Sequence, residues 1–422
     1  MKILFVSQYF PPEMGAPAAR VYELARRWLR EGLDVTVLTG FPNHPTGVLP
    51  PEYRSKWRRL VWRERVDGIR IVRTWLLPFP NRKAHERMLN YASFWLSSSI
   101  AGVFLPRPDV VIATSPQLLV GLTGWWLGLV KRVPFVFEVR DLWPESLTAV
   151  GMPGTESILY RTLEGVARFL YGRCDGLVVV TPAFKDHLMA HWHMDGEKIF
   201  TVENGVETEV FAPGESGEIR MRLDLQEKFV VSYIGTLGMA HGLDTVLEAA
   251  AYFPEASRVR FLLVGEGAEK ERLQSLAAAR GLRNVLFLGE QPKEQIPGLI
   301  RASDASLVLL KKQEIFRTVI PTKMLECMSC ARPVILGVEG QAREIVEGAH
   351  AGLCIEPENA EALVAAIRQL ESDADLRAQL GANGRRRIVE QFSRGQMAAK
   401  YLGVLRGIKN PGVRMHPAGE AV

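Results

Sequence analysis

The chain has 422 residues, 47% of them hydrophobic and 23% charged, with a formal net charge of +5. It is long enough to bury two separate cores, and this composition excludes a disordered chain. Four cysteines at irregular spacing (Cys174, Cys327, Cys330, Cys354) are too few for a disulfide framework, so a reducing cytoplasm is the default compartment.

The opening MKILFVSQYFPPE has one Lys followed by four apolar residues, too short for a secretory signal, and is expected to form a first strand over Lys2–Ser7. A loop containing Gly15 follows, then a helix over about Pro17–Arg30, a stop at Gly32 and a strand over Asp34–Leu38. The alternation continues through GIRIVRTW, DVVIATS, PFVFEVRD and CDGLVVVTP, which predicts a parallel sheet with helices on both faces. A second series begins at KFVVSYIGTLG and runs through RVRFLLVGEG, NVLFLGE, ASLVLL, RPVILG and GLCIEP. Two doubly wound domains are expected, over residues 1–208 and 209–392. A helical segment over about Asp375–Gly407 is expected to return to the first domain, joining it over residues 393–410. Ligands in such folds bind at the carboxyl ends of the strands, so a cleft facing both sheets is the expected site.

Met88–Leu105 is a stretch of eighteen residues without a charge, long enough to be a membrane-span candidate. Asn90, Ser93, Ser97, Ser98, Ser99 and Gly102 argue instead for a helix that packs on the domain and can touch lipid on one face. Just before it, residues 54–87 carry eleven Lys or Arg, Arg73, Arg82 and Lys83 among them, against Glu64, Asp67 and Glu86. Interleaved with Trp57, Trp62 and Trp75, this net +8 segment suits an anionic bilayer or an acidic substrate. A solvated basic face is the plain alternative. Nucleic acid is not expected, because no DNA- or RNA-binding signature accompanies the charge.

Cys327 and Cys330 have redox or zinc half-site spacing, but they end a helix and no second Cys pair completes four ligands. His187, His191 and His193 lack the Glu of a zinc-protease helix and read as surface positions. The first loop, SQYFPPEMGAP, is too long for a compact dinucleotide turn, which argues against a nicotinamide oxidoreductase. Glu13 in that loop is expected to be exposed and without a role. In IGTLGMAHGL, Gly235, Gly238 and Gly242 lie between a strand and a helix, where backbone N–H groups can approach a phosphate. Lys323 occupies the first turn of the helix after Pro321, a position that favours anions. Either an anion belongs there, or Lys323 pairs with Glu326 one turn on.

Taken together, SQYFPPEMGAP, VENGVETEVF, YIGTLGMAHGLDTVLEAA, FLLVGEGAEKERL, VIPTKMLECMSCARPVI and FSRGQMAAKYLGVL resemble the retaining family 4 glycosyltransferases of GT-B fold. The likeness spans essentially the whole chain, and it points to the branch that builds bacterial surface polysaccharides, including transferases of acetamido-sugars such as N-acetylfucosamine. It implies an α/β protein of two Rossmann-like domains, the second binding a nucleotide sugar and the first the acceptor. By the resemblance Glu326 binds the ribose hydroxyls, and Gly15, Thr318, Ile320, Thr322 and Lys323 line the donor.

The sequence departs from the family pattern at Thr318, where a first glutamate is usual, and at Thr236 and His241, where Arg and Lys are usual. Lys323 is then expected to carry the diphosphate charge, with His241 and the N–H groups of the glycine loop assisting. In EVRDLWPES, Asp141 is placed to orient or deprotonate the acceptor hydroxyl and Arg140 to hold an acceptor phosphate, unless the two form a buried structural pair. No metal or other cofactor is expected. The implied partners are a UDP-sugar and a polyprenyl-diphosphate-linked acceptor, met by a peripheral protein on the inner face of the plasma membrane. An epimerase of the same fold and a non-catalytic sugar-nucleotide-binding subunit are the alternatives.

Overall fold

The computed structural model describes residues 1–410 apart from 14, 45, 80–83 and 146–156. Arg82 and Lys83 of the basic segment therefore lie outside the described residues. The chain divides into two compact units, Met1–Glu203 with the chain from Met397, and Asn204–Gln396.

The first unit holds an eight-stranded sheet of β1 (Lys2–Val6), β2 (Asp34–Gly40), β3 (Val61–Val66), β4 (Ile69–Thr74), β5 (Val110–Thr114), β6 (Phe135–Val139), β7 (Gly176–Val179) and β8 (Ile199–Thr201). Its order is β3-β4-β2-β1-β5-β6-β7-β8, and every pair is parallel except β3–β4. Successive residues of β1 feed opposite cores, as strand geometry requires. Ile3 and Phe5 pack with Val21, Trp28 and Tyr401, whereas Leu4 and Val6 pack with Phe94, Leu118 and Leu127.

Strand β3 was not anticipated, because half of its sequence VWRERV is charged. It is an edge strand, and the Asp67-Gly68 turn with φ of 48° and 83° folds it back on β4. That turn is the hairpin signal the charge run obscured. The same hairpin corrects the reading of the basic segment. Arg73 is fully buried, donating to Glu64 and to the carbonyls of Gly40 and Pro11, so it presents no charge to a membrane. Trp57 and Trp75 stack on each other with ring centroids 5.9 Å apart.

The second unit holds a fully parallel six-stranded sheet of β9 (Phe229–Ile234), β10 (Val259–Val264), β11 (Val285–Leu288), β12 (Ala305–Leu309), β13 (Val334–Gly337) and β14 (Gly352–Cys354), in the order β11-β10-β9-β12-β13-β14. Strand order reverses beside β9, which places its carboxyl end at the switch point where ligands bind in such sheets. The terminal helical segment is two helices, Ala374–Gln391 and Arg394–Lys409, with the break at Phe392 and Ser393. The later helix buries Tyr401, Leu402 and Leu405 in the first unit's core, and the Trp28 indole donates to the Ala398 carbonyl at 3.1 Å. Among the described residues no helix is long and apolar enough to cross a membrane.

Candidate functional site

At the end of β9 the chain turns at Gly235, whose φ is +145°. An added Cβ there would stand 2.8 Å from the Lys323 Nζ. Gly265, at the end of the neighbouring β10, has φ +137°, and a Cβ on it would overlap the Gly235 carbonyl oxygen. Only glycine permits two loops to meet backbone to backbone in this way. Their contact is fastened by Gly235 N–H to the Val264 carbonyl at 2.9 Å and Leu237 N–H to the Glu266 carbonyl at 2.8 Å. Thr236 is exposed on the outer side of the loop, and the chain passes through Gly238 into a short turn at Met239–His241, closed by Gly242 with φ +57°.

Lys323 meets this loop from the helix Thr322–Ser329, which starts behind Pro321 with no side chain capping its first turn. Its Nζ donates to the Tyr233 hydroxyl at 2.7 Å and lies 4.0 Å from the centre of that ring. The hydroxyl can accept because its own proton goes to the Thr236 carbonyl at 2.8 Å. Tyr233 is fully buried, and burial raises its phenol pKa, so it stays neutral. Burial also drives the Lys323 ammonium down to about 8, with Cys327 and Glu326 opposing.

The local alternative of a Lys323–Glu326 pair is not realised. Lys323 is held by Tyr233 instead, and the Glu326 carboxylate accepts no hydrogen bond from a described residue. Burial pushes that carboxyl up to about 7, with Lys293 and then Lys323 pulling it back. A desolvated ammonium and a desolvated carboxyl thus stand one helical turn apart, each lacking a partner of opposite charge within 4 Å among the described residues. Such an arrangement suits a ligand that supplies both an anion and hydroxyl donors.

His241 does not provide the assisting charge expected of it. Its Nδ1 lies 3.3 Å from the Leu309 carbonyl, which can only accept, so that nitrogen carries the proton. Burial and the Lys323 charge push its pKa down to about 4, leaving the ring neutral at ordinary pH. Thr318 donates its hydroxyl to the Ile315 carbonyl at 2.8 Å and closes its own turn. The Ile320 side chain belongs to the core with Met324 and Leu325, so a ligand could meet only its backbone. Cys327 and Cys330 are buried free thiols, and burial raises both to about 12.

In the first unit Arg140 follows β6, and its N–H donates to the Ser115 hydroxyl at 2.7 Å. Its Nε and Nη1 are buried without a partner among the described residues, and burial lowers its pKa to about 10 against the pull of Glu138. Arg140 and Asp141 therefore do not form a closed structural pair. Asp141 is solvent-exposed, yet surrounded closely enough that desolvation raises its carboxyl, with Arg140 opposing. Below them Glu138 is fully buried, accepting from Arg20 at 2.9 Å and from Thr114 at 2.5 Å. Gly15 precedes the helix Ala16–Arg30 at φ +129° and is exposed, and a Cβ on it would meet only the Pro17 ring at 3.7 Å.

Glu13 corrects its expectation. It is buried, and its carboxylate accepts from the N–H groups of Asn43 and His44, both at 2.9 Å, and from Phe10 at 3.4 Å. It ties the loops after β1 and β2 together at the carboxyl edge of the sheet. Burial pushes its pKa up to about 7 despite those bonds and the Arg73 charge. Sequence reasoning also passed over Tyr233, whose one signal was an aromatic residue two positions before a strand-ending glycine.

Solved structures share this architecture over the whole chain. Sucrose-phosphate synthase from Thermosynechococcus elongatus superposes with a TM-score of 0.76 at 20% identity, covering 96% of this chain and 98% of the other. Alr3699/HepE from Anabaena, solved with UDP-glucose, gives 0.72 at 18% identity, covering 96% and 100%. The two parallel-sheet units are those of the GT-B glycosyltransferase fold.

Residues 15–205 match the model of a glycosyl transferase 4-like domain, and residues 216–387 that of the glycosyl transferases of group 1. The chain belongs to the group 1 glycosyltransferases and is a transferase enzyme. Among its relatives is the Escherichia coli protein WcaI, named as a glycosyl transferase of colanic acid biosynthesis, 26% identical over 87% of this chain and 92% of the other. WbjE of Pseudomonas aeruginosa, named as a glycosyltransferase, is 27% identical over 55% of this chain and 58% of its own length.

Proposed function

We propose that the protein is a retaining glycosyltransferase that moves a sugar from a UDP-linked donor to a lipid-linked glycan in cell-surface polysaccharide synthesis. The observation that carries this reading is Lys323, held against Gly235 by Tyr233 at the start of its helix and without a carboxylate partner among the described residues. In this reading the bond between the sugar's anomeric carbon and the diphosphate oxygen breaks while the acceptor hydroxyl adds on the same face. The departing diphosphate gains negative charge, and the Lys323 ammonium, the helix N-terminus and the glycine-loop N–H groups stabilise it. Protein groups thereby neutralise the charge with no metal required.

Glu326, ionised, accepts the two ribose hydroxyl protons. Arg140 offers Nε and Nη1 to an acceptor phosphate, and Asp141 receives or orients the acceptor hydroxyl's proton. The uridine diphosphate donor is supported by solved neighbours of this fold that hold UDP and UDP-glucose. The lipid-linked acceptor, and a place on the inner face of the plasma membrane, are supported by the relative named for colanic acid synthesis and by the basic, Trp-bearing first unit.

A panel of nucleotide sugars, acetamido-sugars first, tested for thermal stabilisation and then for turnover on polyprenyl-diphosphate-linked acceptors, identifies donor and acceptor together. Lys323→Ala is expected to weaken both donor binding and turnover. Unchanged values for both would overturn the assignment of the diphosphate to this helix.

A further inference from the structure

The helix Ala84–Val103 turns its polar side chains inward. Asn90 donates to the Leu77 carbonyl at 2.6 Å, Ser93 accepts the Leu77 N–H at 2.9 Å, and Ser98 lies 3.0 Å from Thr123. Phe94 faces the core, but a second apolar stripe points out. Leu89, Leu96 and Ile100, followed by Phe104 just past the helix end, recur at spacings that share one face, and they are 49%, 58%, 57% and 78% exposed. The adjoining helix Leu119–Lys131 exposes Trp126, Leu129 and Val130. A solvated helix has the opposite polarity, so an apolar medium is what this face fits.

The stripe ends beside a cavity of about 560 Å3, walled by residues 105–108 and floored by β1 to β4. Lys2, Arg63, Arg65, Arg70 and Arg107 line it against Asp34 and Glu64. Both acids are already engaged, Asp34 with Arg70 and Glu64 with the buried Arg73. The Lys2 ammonium and the Arg63 and Arg65 guanidinium groups have no carboxylate partner among the described residues. Surplus positive charge bordering an outward apolar stripe is the complement of an anionic lipid leaflet, with phosphate above acyl chain.

We propose that this face docks on an anionic bilayer, the stripe from Leu89 to Phe104 entering the interface and the cationic cavity receiving a lipid phosphate. The inference rests on the membrane-bound acceptor read above for its purpose, and on this surface alone for its test. The contact keeps Arg63, Arg65 and Arg70 of the basic segment but not Trp57 and Trp75, which are occupied with each other.

The test is flotation of the full chain with vesicles of phosphatidylcholine, with and without phosphatidylglycerol. The wild type is expected to float with the phosphatidylglycerol vesicles and to release only in part with added salt. Arg63→Glu with Arg65→Glu is expected to lower that partition at least tenfold. Ile100→Ser with Phe104→Ser is expected to remove the part that resists salt. Both double variants should keep the thermal stabilisation that UDP gives the wild type, which shows that they fold.

Four results would each overturn the proposal: a wild type that floats with neither vesicle, variants that float as it does, full release by inorganic phosphate, or a concentration-dependent dimer abolished by Ile100→Ser with Phe104→Ser. Flotation without UDP binding would instead sink the donor reading and leave the surface standing.

Discussion

Affinity for an intact nucleotide sugar should be bell-shaped in pH, with its plateau between about 7 and about 8, because Glu326 and Lys323 bracket that interval. The ribose clamp needs Glu326 ionised, so the donor binds the deprotonated form and its affinity falls as pH drops below about 7. One unit lower, only about a tenth of the carboxyl is ionised and the Kd should be roughly tenfold higher. The diphosphate needs Lys323 protonated, so affinity falls again as pH rises above about 8, with roughly another tenfold by one unit higher. Titration calorimetry across this range measures both limbs.

Glu326→Gln should erase the acid limb, and Lys323→Met the alkaline one. Lys323→Met should also weaken binding about 10- to 100-fold at the plateau, as expected for a charge-assisted bond worth about 1.5–3 kcal/mol. Because Lys323 helps hold the Glu326 carboxyl down, removing it should move the surviving acid limb to higher pH. A flat profile from pH 6 to 9 in the wild type, or an alkaline limb that persists in Lys323→Met, would refute this account.

Gly265→Ala forces a Cβ into the Gly235 carbonyl, so it should cost about 1–3 kcal/mol and abolish stabilisation by the donor in a thermal-shift assay. Glu138→Ala leaves Arg20 buried without its counter-charge and should destabilise the first unit by about 3–5 kcal/mol. All nine Trp lie at or before Trp192, so intrinsic fluorescence in urea follows that unit alone. Glu13 holds a folded-state pKa of about 7, above its ordinary 4.5, so the native state binds the extra proton and this contribution to stability is lost as pH rises through that window. Glu13→Gln keeps an acceptor for the Asn43 and His44 N–H groups and should flatten the loss, read by calorimetry at pH 5 and pH 8.

The parallel strands were legible because each is a short apolar run bounded by turn residues, and burial on both faces leaves few polar positions to confuse the pattern. The edge strand β3 was hidden for the converse reason, since an edge exposed on one side tolerates Arg63, Glu64 and Arg65. Glu13 was misread because a short loop carboxylate has no local signal of burial. Its partners Asn43 and His44 are about thirty residues away and meet it only after β1 and β2 pair.

By itself the sequence determined that two parallel α/β units exist, that glycines follow β9, and that Lys323 and Glu326 begin and follow one helical turn, because local period and turn chemistry depend on neighbours along the chain. Whether Lys323 pairs with Glu326 was decided only in three dimensions. Tyr233, ninety residues earlier, takes the ammonium, and Gly235 packs against it. The same is true of charge state. His241 loses its positive charge, and the ionisation of Lys323 and Glu326 moves towards neutrality, because burial disfavours the charged form of each. Desolvation depends on what the fold brings near a group, which no stretch of neighbouring residues encodes.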